Sequence, residues 1–213
     1  MTKRDIYLLS PLSAEGTIPL PMISFSLLTD KIDFDACDMV MFTSKQAVKS
    51  AEAIDSEWKK YPTVAIGSAT KKQIETLGGR VIYSPPSFYG EVLSQDIITY
   101  FKDKKLLYLR PEKVSFDTKG YLERAGVAVE EQVIYKTSCA VYPKEEAPSK
   151  GAIIIFTSPS TIHCFFQSFE WDESYSAVVI GEATKRHLKP DMHYVMADEP
   201  LIRSCIAKAR SLL

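Results

Sequence analysis

The sequence predicts an α/β protein of two similar open parallel-sheet domains, produced by internal duplication, with the first domain discontinuous. Three observations carry this expectation. Strand-like apolar runs alternate with helical patterns along the chain, the signature of parallel sheets with helices on their faces. Three separate motifs recur in one register. "FTSKQAV" (Phe42–Val48) returns as "FTSPSTI" (Phe156–Ile162), "AIGSATK" (Ala65–Lys71) as "VIGEATK" (Val179–Lys185), and "VIYSPP" (Val81–Pro86) as "VMADEP" (Val195–Pro200), each 114 positions on. So long a period is a duplicated domain and not a solenoid repeat. The strand preceding each copy also recurs, "IYLLSP" (Ile6–Pro11) as "LLYLRP" (Leu106–Pro111), but at an offset of 100. The halves therefore differ in what lies between: "TIPLPMISFSLLT" in the first, a helix and then "VAVEEQVIYKTSCAVY" in the second. Both extended, apolar-rich stretches fall where the chain can cross between domains, which places one domain inside the other.

Taken in order, "DIYLL", "CDMVMF", "TVAIG", "RVIY", "KLLYL", "VAVEEQVIY", "AIIIF", "AVVIG" and "YVMA" read as strands. Several are continuous apolar runs, as expected of strands covered on both faces. "KKQIETLGG" and "FDTKGYLERAG" read as helices closed by glycine, at Gly78–Gly79 and at Gly126, where a left-handed cap favours it. After "FTSP", Ile162, Phe165, Phe166 and Phe169 follow the i, i+3, i+4, i+7 spacing of a helix face.

The 213 residues suffice for one large or two small domains, and 46% hydrophobic with 25% charged residues is ordinary globular usage. A net charge of −1 gives no nucleic-acid footprint. No run approaches the roughly 20 apolar residues of a membrane span. The opening "MTKRDIYLLSPL" does not read as a secretory signal. Cys37, Cys139, Cys164 and Cys205 show no CxxC spacing. Reduced, buried thiols in a cytoplasmic protein are the expectation.

The repeated motifs are strand-to-helix turns. Ser44 or Thr43 can cap the first helix, with Gln46 placed as a capping-box partner for Thr43; Ser158 precedes Pro159, a favoured first helical residue. In "IGSAT" and "IGEAT", Gly67 and Gly181 allow a tight turn, and Ser68, Thr70 and Thr184 place hydroxyls at the helix start. Helix N-termini carry unpaired N–H groups and partial positive charge, and ligands of open α/β sheets collect at the carboxyl ends of the strands. A Ser or Thr at such a turn is also an ordinary cap, and a duplication preserves scaffolds as well as sites. Other chemistry is thin. GxSxG, Walker A, HExxH and GxGxxG are missing, and His163, His187 and His193 form no metal pattern with the cysteines. His163 and Cys164 are adjacent on a helix, so they diverge and form no dyad.

Taken in this order, "FTSKQAV", "AIGSATK", "SPPSFYGEVL", "GVAVEEQVIYKT", "FTSPSTI" and "VIGEATK" resemble the uroporphyrinogen-III synthase family along nearly the whole chain. The resemblance implies two flavodoxin-like domains joined by a two-stranded antiparallel linker, with the active site in the cleft between them. On this sequence the expected boundaries are 1–23 with 139–213 for the outer domain, 29–131 for the inserted one, and 24–28 with 132–138 for the ladder. It implies a lyase of haem biosynthesis without cofactor or metal; a monomer is expected because nothing in the sequence demands more. The substrate is hydroxymethylbilane, with a transient handover from hydroxymethylbilane synthase expected and neither nucleic acid nor membrane involved. Loss of water gives an azafulvenium-like electrophile, and ring D inverts through a spiro intermediate. That suits a chain without a nucleophile, whose task is to fold a polycarboxylate and shield its intermediates.

The tyrosine of the family's "VYxT" motif falls on Tyr135, a candidate acid toward the departing hydroxyl; on its residues alone it is equally a ladder tyrosine packing its ring. Thr43, Ser44, Ser68 and Thr70 from the inserted domain, with Ser158, Ser160 and Thr184 from the outer one, are the expected substrate-binding residues. Thr70 and the Ser158 backbone are expected to matter most. Where family members often have glycine and a basic residue after the "LR" strand, this chain has Pro111 and Glu112, with Arg110, Lys113 and Lys119 nearby. Which of these faces substrate stays open. The rival reading is a non-catalytic, two-lobed module that binds an anionic ligand at the same turns.

Overall fold

The nine apolar runs read as strands all form strands in the computed structural model, which describes residues 4–35, 37–87 and 89–213. They are β1 (Ile6–Leu8), β4 (Met39–Phe42), β5 (Pro62–Ala65), β6 (Arg80–Tyr83), β7 (Leu106–Pro111), β8 (Val129–Cys139), β9 (Ile153–Phe156), β10 (Ser176–Val179) and β11 (Tyr194–Met196). Two more, β2 (Ile18–Pro19) and β3 (Ile23–Leu27), come from "TIPLPMISFSLLT", which the pattern suggested only as an extended crossing. The helices are α1 (Lys45–Ile54), α2 (Ser68–Thr76), α3 (Gly90–Tyr100), α4 (Thr118–Arg124), α5 (Pro159–Ser168), α6 (Glu182–Lys185) and α7 (Ile202–Arg210). Among the described residues, no helix is long and apolar enough to cross a membrane.

The chain divides into two compact units, Met1–Ser24 with Ser138–Leu213, and Phe25–Thr137. In the first, the sheet runs β11-β10-β9-β1-β2, all parallel. In chain order that is the 2-1-3-4-5 arrangement of doubly wound proteins. β9 explains itself from sequence: all four residues of "IIIF" are buried, because both faces are covered. Ile154 and Phe156 pack toward α5 with Ile162 and Phe165, while Ile153 and Ile155 pack toward α7 with Cys205 and Ala209. Pro159 opens α5, where its missing N–H costs nothing. Phe169 is not helical, as its spacing suggested, but caps the helix in extended conformation; its ring still meets Phe165 at 5.3 Å.

In the second unit the sheet order is β3-β8-β7-β4-β5-β6, with β8 through β6 parallel. Val40 and Phe42 face α1 and α2, meeting Ala47, Val48, Ala51 and Ile74. Met39 and Met41 face α3 and α4, meeting Leu93, Ile97 and Leu122. The glycine caps follow the sequence: Gly78 and Gly126 hold φ of 90° and 79°. Beside Gly78, Gly79 is required for room, since a Cβ there would overlap the rings of Trp58. β3 lies alongside β8; Leu28 donates to the Ile134 carbonyl and Ala140 to that of Met22, so these stretches run in opposite directions.

The four cysteines are not all reduced. Cys139, at the end of β8, is joined by a disulfide to Cys164 on α5, with Cα atoms 5.1 Å apart. No local spacing announces this pair, because the tertiary approach of a strand end to a helix face makes it. Cys37 and Cys205 are free, and burial pushes both thiols up to about 11. Cys164 is turned into the core while His163 meets Gln167 on the surface, so the neighbours form no dyad.

Candidate functional site

In the second unit, every turn named from sequence lies at the carboxyl edge of the parallel sheet. α1 begins at Ser44, whose backbone is still extended (φ −151°, ψ 150°) and whose Oγ accepts from the Ala47 N–H at 3.0 Å. Ser44, not Thr43, is therefore the cap. Gln46 makes no capping box and instead donates to Ser50. Consecutive residues in extended backbone point to opposite faces, which leaves the Thr43 hydroxyl free to turn the other way.

Each of the two hydroxyls meets a phenol on its own face of the sheet. Thr43 Oγ1 lies 3.0 Å from the Tyr108 hydroxyl, and Tyr108 belongs to the α3/α4 side of the core. Ser44 Oγ lies 3.0 Å from the Tyr135 hydroxyl, and Tyr135 belongs to the α1/α2 side. The "FTS" turn is thus clasped between two tyrosines that are only 3% and 4% exposed. Tyr135 also packs edge-on against Phe25, with centroids 5.9 Å apart. Its ring is packed in the core, and its hydroxyl reaches the turn.

Burial pushes both phenols above the usual value, and their hydrogen bonds to Ser44 and Thr43 partly oppose this. Arg110 also opposes it at Tyr108. Both keep their protons throughout the neutral range, and in each phenol–hydroxyl pair either oxygen can be the donor.

The remaining named residues divide by exposure. Gly67 (φ 80°) turns the chain into α2 with no side-chain cap; Ser68 is exposed, and Thr70 is buried. In the other unit, Ser158 caps α5 in a true capping box with Thr161, and Ser160 is exposed beside it. Thr184, the third residue of α6, is buried. The structure thus pairs Ser44 with Tyr135 and turns the adjacent Thr43 to Tyr108 on the other face; Ser68 and Thr70 lie at the same sheet edge, after the neighbouring strand. Ser158, Ser160 and Thr184 form the equivalent edge of their own unit.

Sequence reasoning missed Tyr108, which it read only as part of the apolar run "KLLYL". The available signal was a polar-tipped residue near the carboxyl end of a strand beside "FTS". The cations after that strand also separate. Arg110 is held by Glu131 at 2.7 Å and by the carbonyls of Pro111 and Glu112. Its bond to Glu131 raises the guanidinium further above its usual value. Lys119 pairs with Glu123 at 3.7 Å. Lys113 makes no ion pair within 4.0 Å among the described residues. No group of three or more His, Cys, Asp or Glu side chains among those residues could hold a metal ion.

Fold and site together define an α/β protein whose turns present hydroxyls at the carboxyl edges of parallel sheets, suited to a small anionic molecule. Comparison with known families makes this specific. The family described as uroporphyrinogen-III synthase HemD matches residues 10–207, and the chain belongs to the uroporphyrinogen-III synthase family, whose members are cyclising lyases. The fold is similar to that of uroporphyrinogen-III synthetase from Helicobacter pylori, at a TM-score of 0.83 and 22% identity, covering 99% of this chain and 100% of that one. It is also similar to a mutant uroporphyrinogen III synthase from Thermus thermophilus, at a TM-score of 0.59 and 13% identity, covering 99% of both chains. No curated protein matches the sequence significantly.

Proposed function

We propose that this chain cyclises hydroxymethylbilane to uroporphyrinogen III by binding the substrate's carboxylates at the hydroxyl-bearing turns of both units. The observation that carries this reading is the Tyr108–Thr43 and Ser44–Tyr135 clasp at the carboxyl edge of a parallel sheet. Tyr135, kept protonated by burial, donates toward the departing hydroxyl and positions it. The pyrroles supply the electron push, ring D attacks through its substituted carbon, and the spiro intermediate reopens and recloses inverted. Ser68, Thr70, Ser158, Ser160 and Thr184 complete the binding set, the two buried threonines acting by fixing their turns.

Four further elements belong to this reading. The units derive from one duplicated ancestor, a view supported by their common spatial order once β9, β10, β11, β1 and β2 are matched to β4, β5, β6, β7 and β8. β3 and β8 serve as the linker. The enzyme acts as a monomer on substrate handed over by hydroxymethylbilane synthase.

The test is incubation with enzymatically generated hydroxymethylbilane, then oxidation and isomer analysis. The type III isomer is expected in excess over a blank; type I alone would sink the proposal.

A further inference from the structure

β4 and β7 are neighbours in the sheet, but the chain leaves them toward opposite faces: α1 packs on one side and α4 on the other. Where consecutive connections part in this way, a crevice opens at the strand ends. One does so here. A cavity of about 240 Å³ is walled by Thr43, Ser44, Tyr108, Lys113, Ser115 and Thr118. Among the described residues its wall carries five hydroxyls and one cation, Lys113, beside the apolar Ile66, Pro111, Val114 and Phe116.

The loop bearing that cation is built firmly at both ends. Glu112 N–H donates to the Tyr135 carbonyl at 2.9 Å, and Asp117 caps α4 by accepting from Gly120 N–H at 3.0 Å. Phe116 rests against Gly90, where a Cβ would come within 3.2 Å of its ring. Asp117 is therefore occupied, Arg110 is held by Glu131, and Lys119 by Glu123.

The hydroxyl pair also has capacity left over. Tyr108 and Thr43 together carry two hydroxyl protons, and their mutual bond uses one. Whichever of them donates in that bond, the other retains a proton, for the neighbouring Thr118 hydroxyl or for an acceptor in the cavity. The cavity thus offers an ammonium and a preset hydroxyl donor, which is the chemistry that holds a carboxylate.

We propose that this cavity is a subsite for one carboxylate-bearing arm of the substrate, with Lys113 as its charge partner and the Tyr108–Thr43 pair as its hydrogen-bond donor. The identity of the arm's parent rests on the synthase reading; the carboxylate chemistry does not.

Two readouts test the subsite: binding of uroporphyrin III, a stable polycarboxylate followed by its own fluorescence, and KM against kcat with hydroxymethylbilane. Lys113→Met should weaken binding and raise KM about ten-fold, the size of one charge-assisted hydrogen bond, with kcat within about two-fold of the parent. Lys113→Arg should restore most of the loss. Tyr108→Phe should weaken binding several-fold, and Lys119→Met, outside the cavity, should change nothing. Salt should weaken binding by the parent more steeply than by Lys113→Met. Parent-like binding by Lys113→Met, or an equal loss in Lys119→Met, overturns the subsite. If the parent binds through Lys113 yet yields only the type I isomer, the subsite stands and the synthase reading falls. If the parent makes type III and Lys113→Met matches it in binding and KM, the reverse holds.

Discussion

Removing Ser44 and Tyr135 singly and together tests whether the clasp is one cooperative unit. Ser44→Ala deletes the cap of α1, worth about 1 kcal/mol. It also strands the hydroxyl of Tyr135, which is 4% exposed and bonds to Ser44 alone among described side chains. An orphaned buried hydroxyl costs about 1–2 kcal/mol more. Tyr135→Phe removes one hydrogen bond and leaves Ser44 still accepting from Ala47, a loss of about 1 kcal/mol. In the double variant no hydroxyl is stranded, so only the cap and a small remainder are lost, about 2 kcal/mol. The singles then exceed the double by about 1.5 kcal/mol. Urea unfolding followed at Trp58 measures this within the correct unit, since Trp58 packs edge-on against Phe42 at 5.3 Å. Strict additivity, within about 0.3 kcal/mol, would refute the clasp as a coupled unit.

Other outcomes follow from the same structure. Tyr108 and Tyr135 have folded-state values raised by burial, so their neutral forms favour the fold below the unfolded value near 10; as pH climbs above it the unfolded chain sheds protons first. Stability should begin to fall above about pH 8.5, as the unfolded chain ionises Cys37 and Cys205 before the folded one does; above about pH 10 each buried phenol should add about 1.4 kcal/mol per pH unit to the slope, and Tyr135→Phe should shallow it there, so an unchanged slope above about pH 10 counts against this assignment. Reducing Cys139–Cys164, which closes a 25-residue separation, should cost about 3 kcal/mol. Trp171 should report that loss and Trp58 should not, because they sit in different units. Phe156→Ala, at a fully buried position meeting Phe165 and Trp171, should cost about 3–5 kcal/mol in denaturant unfolding read at Trp171.

Much of the fold was legible because its signals are local. Continuous apolar runs such as "IIIF" mark strands covered on both faces, and Gly78 and Gly126 mark helix ends by their positive φ. β2 was illegible because two exposed residues carry no period; only pairing with β1 makes them a strand. In the site, Ser44 and Thr43 could be named but not told apart as caps, since either hydroxyl is chemically suitable and backbone geometry decides. The roles of Arg110, Lys113 and Lys119 were likewise undecidable in one dimension, because partners such as Glu131 lie 21 residues away in sequence.

The sequence alone determined the order of nine strands, the repeated turns and the family resemblance, because periodicity, turn chemistry and motif order are written residue by residue. Tertiary structure decided which groups meet. It paired Cys139 with Cys164 and set Tyr108 on Thr43 and Tyr135 on Ser44. It also set Lys113 on the wall of a cavity. Each depends on tertiary packing that brings residues distant in sequence together, the disulfide at a strand end and a helix face and the hydroxyl pairs at one sheet edge, and no local pattern encodes that approach.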